Sequence, residues 1–402
     1  MRDVIILCQH FYPEEASTGQ FATELAEDLS GYGYGVSVIT AQPTYFLKSK
    51  DRLESCCLYK NIHIGRVLNT RFNRNNIAGR ILNSLTYVFL TFLELFLRPA
   101  SEIILVYTNP PFLPLAAFLS RILRNQRYIV IVYDVYPDAA FETGYFRFLK
   151  SARGIFDFVN KIIFNSSERV IVIGRCMKNL LLEKGVKPSK ITFIPNWADG
   201  NFIKPLEKTN NPIFKECCLS GEFIVEYCGA LSLYNDFDTV VLAAEKLKDL
   251  PILFLFVSSG VKTDALKEEV KKRGLKNFIF LPYQPKGQLR YTFTLGNVGL
   301  VIQKESFMGV NVPSKIYSYL AAGIPVIGIV PAGSEAARII GQTGGFVVSP
   351  KEPGDLADKI KALYQDKKLE KQLGTKAHNI FETAYDRNIV TMQYKKLLDE
   401  IN

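Results

Sequence analysis

Short runs of apolar residues with no polar alternation recur along this chain, and they sharply limit its fold. Val4–Cys8, Ile103–Tyr107, Tyr128–Tyr133 and Val298–Ile302 are four of them. A strand with one face in water alternates polar and apolar residues, so these read as strands buried on both faces of a parallel sheet. Helical spacing fills the gaps. Phe21, Leu25 and Leu29 share a face, and further helices are predicted over 81–97, 112–123, 155–164, 239–247 and 265–273. The alternation runs to Ile191–Ile194, pauses over Asn201–Ser220 with Pro205 and Pro212, and restarts at Phe223–Tyr227. An α/β protein of two doubly wound parallel-sheet domains is expected, with ligands at the carboxyl ends of the strands. A length of 402 residues accommodates two cores.

The segment from Pro313 to Ile327 concentrates the chemistry. Val298–Ile302 feeds a loop up to Val312, then a short helix predicted from Ser314, then the apolar strand Val326–Val330. Ser314 reads as the N-cap, Gly323 as the left-handed residue that closes the helix, and Pro325 as a stop. A strand that delivers a loop to a helix N-terminus leaves free N–H groups in a crevice. Ser314 and Lys315 add a hydroxyl and a cation there, which suits a diphosphate held without a metal. An ordinary β-loop-α unit with a solvated lysine has the same signature.

Composition excludes several classes. Residues 1–200 hold 23 Lys/Arg against 17 Asp/Glu and the remainder 26 against 22, so the formal charge of +10 is diffuse. No block of like charge marks a nucleic-acid tail. Seven cysteines, an odd number without C-x-x-C spacing, predict a reducing cytoplasm rather than a disulfide framework. His10, His63 and His378 are too scattered for a metal cage. Asp236-Phe237-Asp238 imitates a metal-binding D-x-D but sits where a helix starts, and reads as N-capping. Gly31-Tyr32-Gly33-Tyr34-Gly35 lies after a helix and before a strand, the wrong order for a dinucleotide fingerprint. Met1-Arg2-Asp3 runs directly into a strand, and no secretory signal is expected.

Pro313-Ser314-Lys315-Ile316-Tyr317, followed by Tyr319-Leu320-Ala321-Ala322-Gly323 and a Pro325-Val326-Ile327 strand, resembles a known donor site. It is that of GT-B glycosyltransferases in glycosyltransferase family 4, nearest the branch that builds bacterial surface polysaccharides. Phe11-Tyr12-Pro13-Glu14-Glu15, Tyr133-Asp134-Val135-Tyr136-Pro137-Asp138 and Ile194-Pro195-Asn196-Trp197 occur in the matching order. The resemblance implies a GT-B fold, two Rossmann-like domains facing a cleft. Residues 1–204 would form the acceptor-side domain and 205–385 the nucleotide-sugar domain, with a helix in 386–402 returning to the first. It further implies a retaining, metal-independent transfer from a nucleotide-sugar, UDP-linked, to a lipid-linked or surface-polysaccharide acceptor, with no other cofactor.

Carried over position by position, the resemblance assigns Gly229, Pro313, Ser314, Lys315 and Ser318 to the donor, and Leu281 and Tyr283 to its base. The apolar character of Leu281 to Tyr283 equally suits packing. Thr18 and Gly19 match the acceptor-side loop in part. Asp134 stands near the family's catalytic histidine, where it would position an acceptor hydroxyl or simply cap a strand end; Asp138 reads as the cap of the next helix. The family's Glu-x7-Glu falls on Val310 and Ser318, and its Arg and Lys fall on Ala230 and Asn235. Ribose recognition is therefore altered, and more of the charge rests on Lys315. Two other readings stay open: a GT-B UDP-N-acetylhexosamine 2-epimerase, and a nucleotide-sugar-binding protein without turnover.

Residues 60–97 bear on a partner of another kind. Ser55 to Leu93 contains no acid but includes Lys60, Arg66, Arg71, Arg74 and Arg80, and 81–97 is apolar and aromatic. This suits the anionic inner face of a plasma membrane; a core helix behind a solvated basic loop has the same composition. No nucleic-acid partner is expected.

Overall fold

The computed structural model describes residues 3–14, 16–43, 52–72, 77–143, 151, 153–217, 219 and 221–401. Glu15, Arg74, Cys218 and Ser220 lie outside them. The chain divides into two units, Met1–Pro195 with Gly309–Asn311 and Thr391–Asn402, and Asn196–Met308 with Val312–Val390.

The first unit runs β1 (Asp3–Leu7), α1 (Ser17–Gly31), β2 (Gly35–Ala41), β3 (Cys56–Tyr59), β4 (Ile62–Val67), α2 (Ile77–Leu97), β5 (Ile103–Tyr107), α3 (Leu113–Arg124), β6 (Tyr128–Val132), α4 (Asp138–Glu142), α5 (Arg153–Ser166), β7 (Arg169–Val172), α6 (Arg175–Glu183) and β8 (Ile191–Phe193). Its sheet has the order β3-β4-β2-β1-β5-β6-β7-β8, parallel except for β3 against β4. The predicted runs in β1, β5 and β6 pair in the centre, where every residue of β5 and β6 is buried. Strands β3 and β4 escaped the sequence reading. β3 is a half-exposed edge strand joined to β4 through Lys60 and Asn61 at φ 46° and 63°, and His63 and Gly65 interrupt the apolar run of β4.

The second unit runs α7 (Pro212–Glu216), β9 (Phe223–Ala230), α8 (Asp238–Lys246), β10 (Ile252–Ser259), α9 (Thr263–Lys272), β11 (Phe278–Leu281), α10 (Leu289–Thr292), β12 (Val298–Ile302), α11 (Lys315–Ala321), β13 (Val326–Ile329), α12 (Glu335–Thr343), β14 (Phe346–Val348), α13 (Pro353–Gln365) and α14 (Lys367–Ala384). Its sheet is wholly parallel, ordered β11-β10-β9-β12-β13-β14. A last helix, α15 (Arg387–Ile401), starts in this unit and finishes in the first, where Asp399 accepts from the Tyr34 hydroxyl (2.8 Å).

Several local expectations need correction. The units divide after Pro195, not after 204, and the second keeps the chain to Val390 rather than 385. Ala198 N donates to Tyr385 O (3.2 Å) and Arg387 N to Ala198 O (2.9 Å), which ties 198 to the second unit. Asn201–Ser220 is not a linker. Buried Asn211 caps α7 by accepting from Ile213 N, and its amide donates to Tyr291 O and Thr294 Oγ1. Ser17 and Gln20 form no capping box, because the helix already begins at Ser17 and Gln20 Nε2 donates to Glu24 (2.9 Å). Asp138 is no cap either: it opens α4 as a buried carboxylate paired with Arg153 and Lys184. Asp236 accepts from the Thr239 hydroxyl (2.6 Å) instead of capping, while Asp238 supplies the acid of the first turn of α8.

Candidate functional site

In the first unit the candidates stand at the carboxyl ends of β1 and β6. Asp134 lies two residues past β6, half-buried. The strand end there is closed by Thr108, whose hydroxyl donates to Asp134 O (3.0 Å) and lies 3.2 Å from Tyr133 N. That leaves the Asp134 carboxylate unused for capping. Burial pushes it up to about 6, and a hydrogen bond from Asn311 pulls the other way. A carboxylate poised near neutrality can accept a hydrogen bond from a substrate hydroxyl.

Thr18 and Gly19 sit in the first turn of α1. Gly19 is buried, and a Cβ there would stand 3.1 Å from the backbone of His10, a tight contact that favours glycine. The sequence reading missed what Gly19 packs on. His10 Nδ1 hydrogen-bonds the Glu14 carboxylate at 2.6 Å, both side chains buried in the loop after β1. The i, i+4 spacing of the two in one loop was the available signal.

In the second unit Lys315 and Gly229 come together. Gly229 adopts φ 124° near the end of β9, and Lys315 opens α11 after the neighbouring strand β12. A Cβ on Gly229 would lie 3.2 Å from Lys315 Nζ. The Lys315 ammonium rests 3.3 Å from the centroid of the Tyr227 ring, a cation–π seat. Half-buried, it has no salt bridge among the described residues, and desolvation pushes it down to about 7. Beneath it, fully buried Glu226 accepts from Gly296 N (2.8 Å), and burial raises its carboxyl to about 8. Such a lysine is charged most readily when an anion arrives.

The remaining donor candidates are looser. Ser318 lies one turn beyond Lys315 on the half-exposed side of α11, while Ile316, Tyr317, Tyr319 and Leu320 are buried. Ser314 is the first residue before α11, but its hydroxyl makes no cap hydrogen bond, because its backbone is already helical (φ −67°, ψ −26°). Pro313 precedes it, with its carbonyl facing Ile316 N at 3.5 Å. Gly323 takes φ 68°, and Ile324 N donates to Tyr319 O behind it. Leu281 ends β11, two strands from β9, and packs on the hydrophobic core; Tyr283 is half-buried in the next loop. Asn235, where the resemblance would place a cation, binds Ser232 and donates to Ile302 O (2.7 Å), fixing the loop after β9 to β12. Two cations went unnoticed in the sequence. Lys304, just past β12, is lowered by burial and then by the neighbouring charge of Lys262, which follows β10.

Two parallel-sheet α/β units, with a lysine over an aromatic ring at one sheet's carboxyl edge, define a class, and comparison with known proteins agrees. Residues 18–197 match the family described as glycosyl transferase 4-like domain, and 213–380 match glycosyl transferases group 1. The chain is a GT-B glycosyltransferase. Among curated relatives it is 24% identical over 402 residues to a protein of Escherichia coli K12 named as a colanic acid biosynthesis glycosyl transferase, WcaI, covering 97% of this chain and 98% of that one. It is 26% identical to the glycosyltransferase WbjE of Pseudomonas aeruginosa over 289 residues, 71% of this chain and 72% of the relative. Among solved structures, sucrose-phosphate synthase from Thermosynechococcus elongatus superposes with a TM-score of 0.80 at 16% identity over 100% of this chain and 99% of its own. Anabaena Alr3699/HepE in complex with UDP and glucose gives 0.75 at 13%, over 100% of both chains. At such identities the solved structures speak for the fold.

Proposed function

We propose that this glycosyltransferase moves a sugar from a UDP-linked donor to a lipid-linked or surface-polysaccharide acceptor, with retention and without a metal. The observation that carries the donor half is Lys315, an ammonium held on the Tyr227 ring beside Gly229 with no carboxylate bound to it among the described residues. UDP is favoured because the Anabaena neighbour binds it, and the acceptor class because of the name of the Escherichia coli relative. In this reading the bond from the anomeric carbon to the diphosphate breaks while the acceptor oxygen bonds to the same face. The acceptor proton passes to the departing diphosphate oxygen. Lys315 offsets the charge that develops there, in the way positioned cations lower such barriers. Asp134 orients the acceptor hydroxyl, with Thr18 and Gly19 on the acceptor side; Ser318 meets the ribose, and Leu281 and Tyr283 flank the base.

The test is nucleotide release from UDP-sugars with and without an oligosaccharide or lipid-linked acceptor. Release that depends on acceptor is expected. Conversion of donor alone would point to an epimerase, and UDP-dependent thermal stabilisation without any turnover would point to a binding protein.

A further inference from the structure

Strands β9 and β12 part just where Lys315 sits. Their ladder pairs Val298 with Val225 and Gly299 with Glu226 and goes no further, although β9 runs on to Ala230 and β12 to Ile302. On its other edge β9 stays paired with β10 up to Ala230 and Ser259. Successive residues of a strand turn their polar groups alternately to its two neighbours. Ile224 O accepts from Asn297 N, just before β12, so the backbone groups of Glu226 and Cys228 face β12 as well. Past the end of the ladder they would be buried with no strand to bond, a state that native proteins avoid.

The Tyr319 hydroxyl takes the place of the missing strand. It accepts from Cys228 N (2.9 Å) and donates to Glu226 O (3.2 Å). The ring behind it is fully buried and held on two sides. A Cβ on Gly299 would stand 2.6 Å from ring carbons, so glycine there makes room for it, and Phe293 packs edge-on at 5.2 Å between centroids. Tyr319 follows Lys315 by four residues on α11, so the two side chains leave one face of the helix. The hydroxyl lands between Glu226 and Cys228, and the ammonium lies over Tyr227 beside Gly229. Of these two contacts with β9, only the hydrogen-bonded one is strictly directional. An ammonium over an aromatic face tolerates sliding.

We propose that Tyr319 is the positioning residue for Lys315. Its hydroxyl, bonded across Glu226 and Cys228, sets how far α11 stands from β9 and so holds the ammonium above Gly229. Being fully buried, Tyr319 works through Lys315 and not on the substrate. This role rests on the reading of Lys315 as the donor's cation and names the residue on which that cation depends.

Tyr319→Phe removes the hydroxyl and keeps the ring. The experiment is calorimetric binding of UDP and of uridine to wild type, Tyr319→Phe, Lys315→Met and the double variant, below the melting temperature of the least stable. UDP affinity should fall roughly tenfold in Tyr319→Phe, the scale of a weakened charge-assisted contact, with uridine affinity unchanged. In the Lys315→Met background the same substitution should change UDP affinity by less than about twofold, because it acts through Lys315. A merely structural role would give no such dependence, since the unpaired Cys228 N lowers stability in both backgrounds alike. Equal UDP losses in the two backgrounds, matching losses for uridine, or no loss at all in Tyr319→Phe would overturn the proposal and leave the donor reading standing. Wild type that does not bind UDP, or Lys315→Met that binds it as wild type does, would sink the donor reading and this role with it. Should Tyr319→Phe fail to fold, Phe293→Leu, which loosens the ring and keeps the hydroxyl, replaces it in the same cycle. The same dependence on Lys315 is then expected, and its absence would overturn the proposal.

Discussion

The two sheets carry opposite charges at their carboxyl ends, and burial acts on them in opposite senses. Past β6 the first unit presents a carboxylate, Asp134, which burial raises to about 6. Beside β9 the second presents an ammonium, Lys315, which burial lowers to about 7. Both are half-buried and each is drawn towards its neutral form in the free protein. What differs is the support. Asp134 has a hydrogen-bond donor in Asn311, whereas Lys315 leans on an aromatic face and on a glycine that leaves it room. The first arrangement suits a neutral hydroxyl ligand, and the second suits an anion that brings the missing charge.

The comparison breaks most visibly at Asp134. Asp134→Asn should lower transfer by roughly 10²-fold or more at saturating donor, the scale of a positioned acid–base group. Donor affinity should hold. Near-normal turnover in a steady-state assay would reduce Asp134 to a bystander of Thr108. Next in size, Lys315→Ala should cost about 1.5–3 kcal/mol in nucleoside diphosphate affinity, the worth of a hydrogen bond to a charged group. Calorimetry with the bare nucleoside should show almost no change; equal losses for both ligands would mean the substitution acts through folding.

The pH dependence sharpens the contrast, because the two signs oppose. A folded Asp134 holds its proton up to about 6 instead of 3.8, so its contribution to stability falls as pH rises across that window. A folded Lys315 gives up its proton at about 7 instead of 10.5, so its contribution to stability rises between those values. Melting temperatures from pH 4 to 10 should therefore lose the acid-side slope in Asp134→Asn and the alkaline-side slope in Lys315→Met. Unchanged slopes in both variants would show that neither group is desolvated as described. Diphosphate binding should weaken as pH rises through about 7, since the free site then lacks its cation. The smallest effect belongs to Ser314→Ala. With no cap hydrogen bond to lose, it should shift stability by under about 0.5 kcal/mol, the lower bound for a true cap. A loss near 1 kcal/mol in chemical denaturation would restore the capping role.

Much of this was legible in the order of residues. Apolar runs such as Ile103–Tyr107 and Val298–Ile302 have one physical outlet, a strand covered on both faces, and alternation with helices leaves only parallel sheets. Gly323 was legible too, because few other residues accept φ 68° at a helix end. What the sequence could not settle is what depends on neighbours distant along the chain. Asn211 reads as part of a loop until Tyr291 and Thr294 meet its amide, and Asp138 as a cap until Arg153 and Lys184 reach its carboxylate. Lys315 reads equally as a cation for a diphosphate and as a solvated lysine until the ring of Tyr227, nearly ninety residues earlier, comes under its ammonium. The apolar residues of α2 fit a core helix equally well by composition. Only the anchoring of Asn83 on the backbone of Phe72 and of Tyr87 on Ile39 of β2 turned Phe89 and Phe96 outward, because a helix has two faces and the sheet can cover just one.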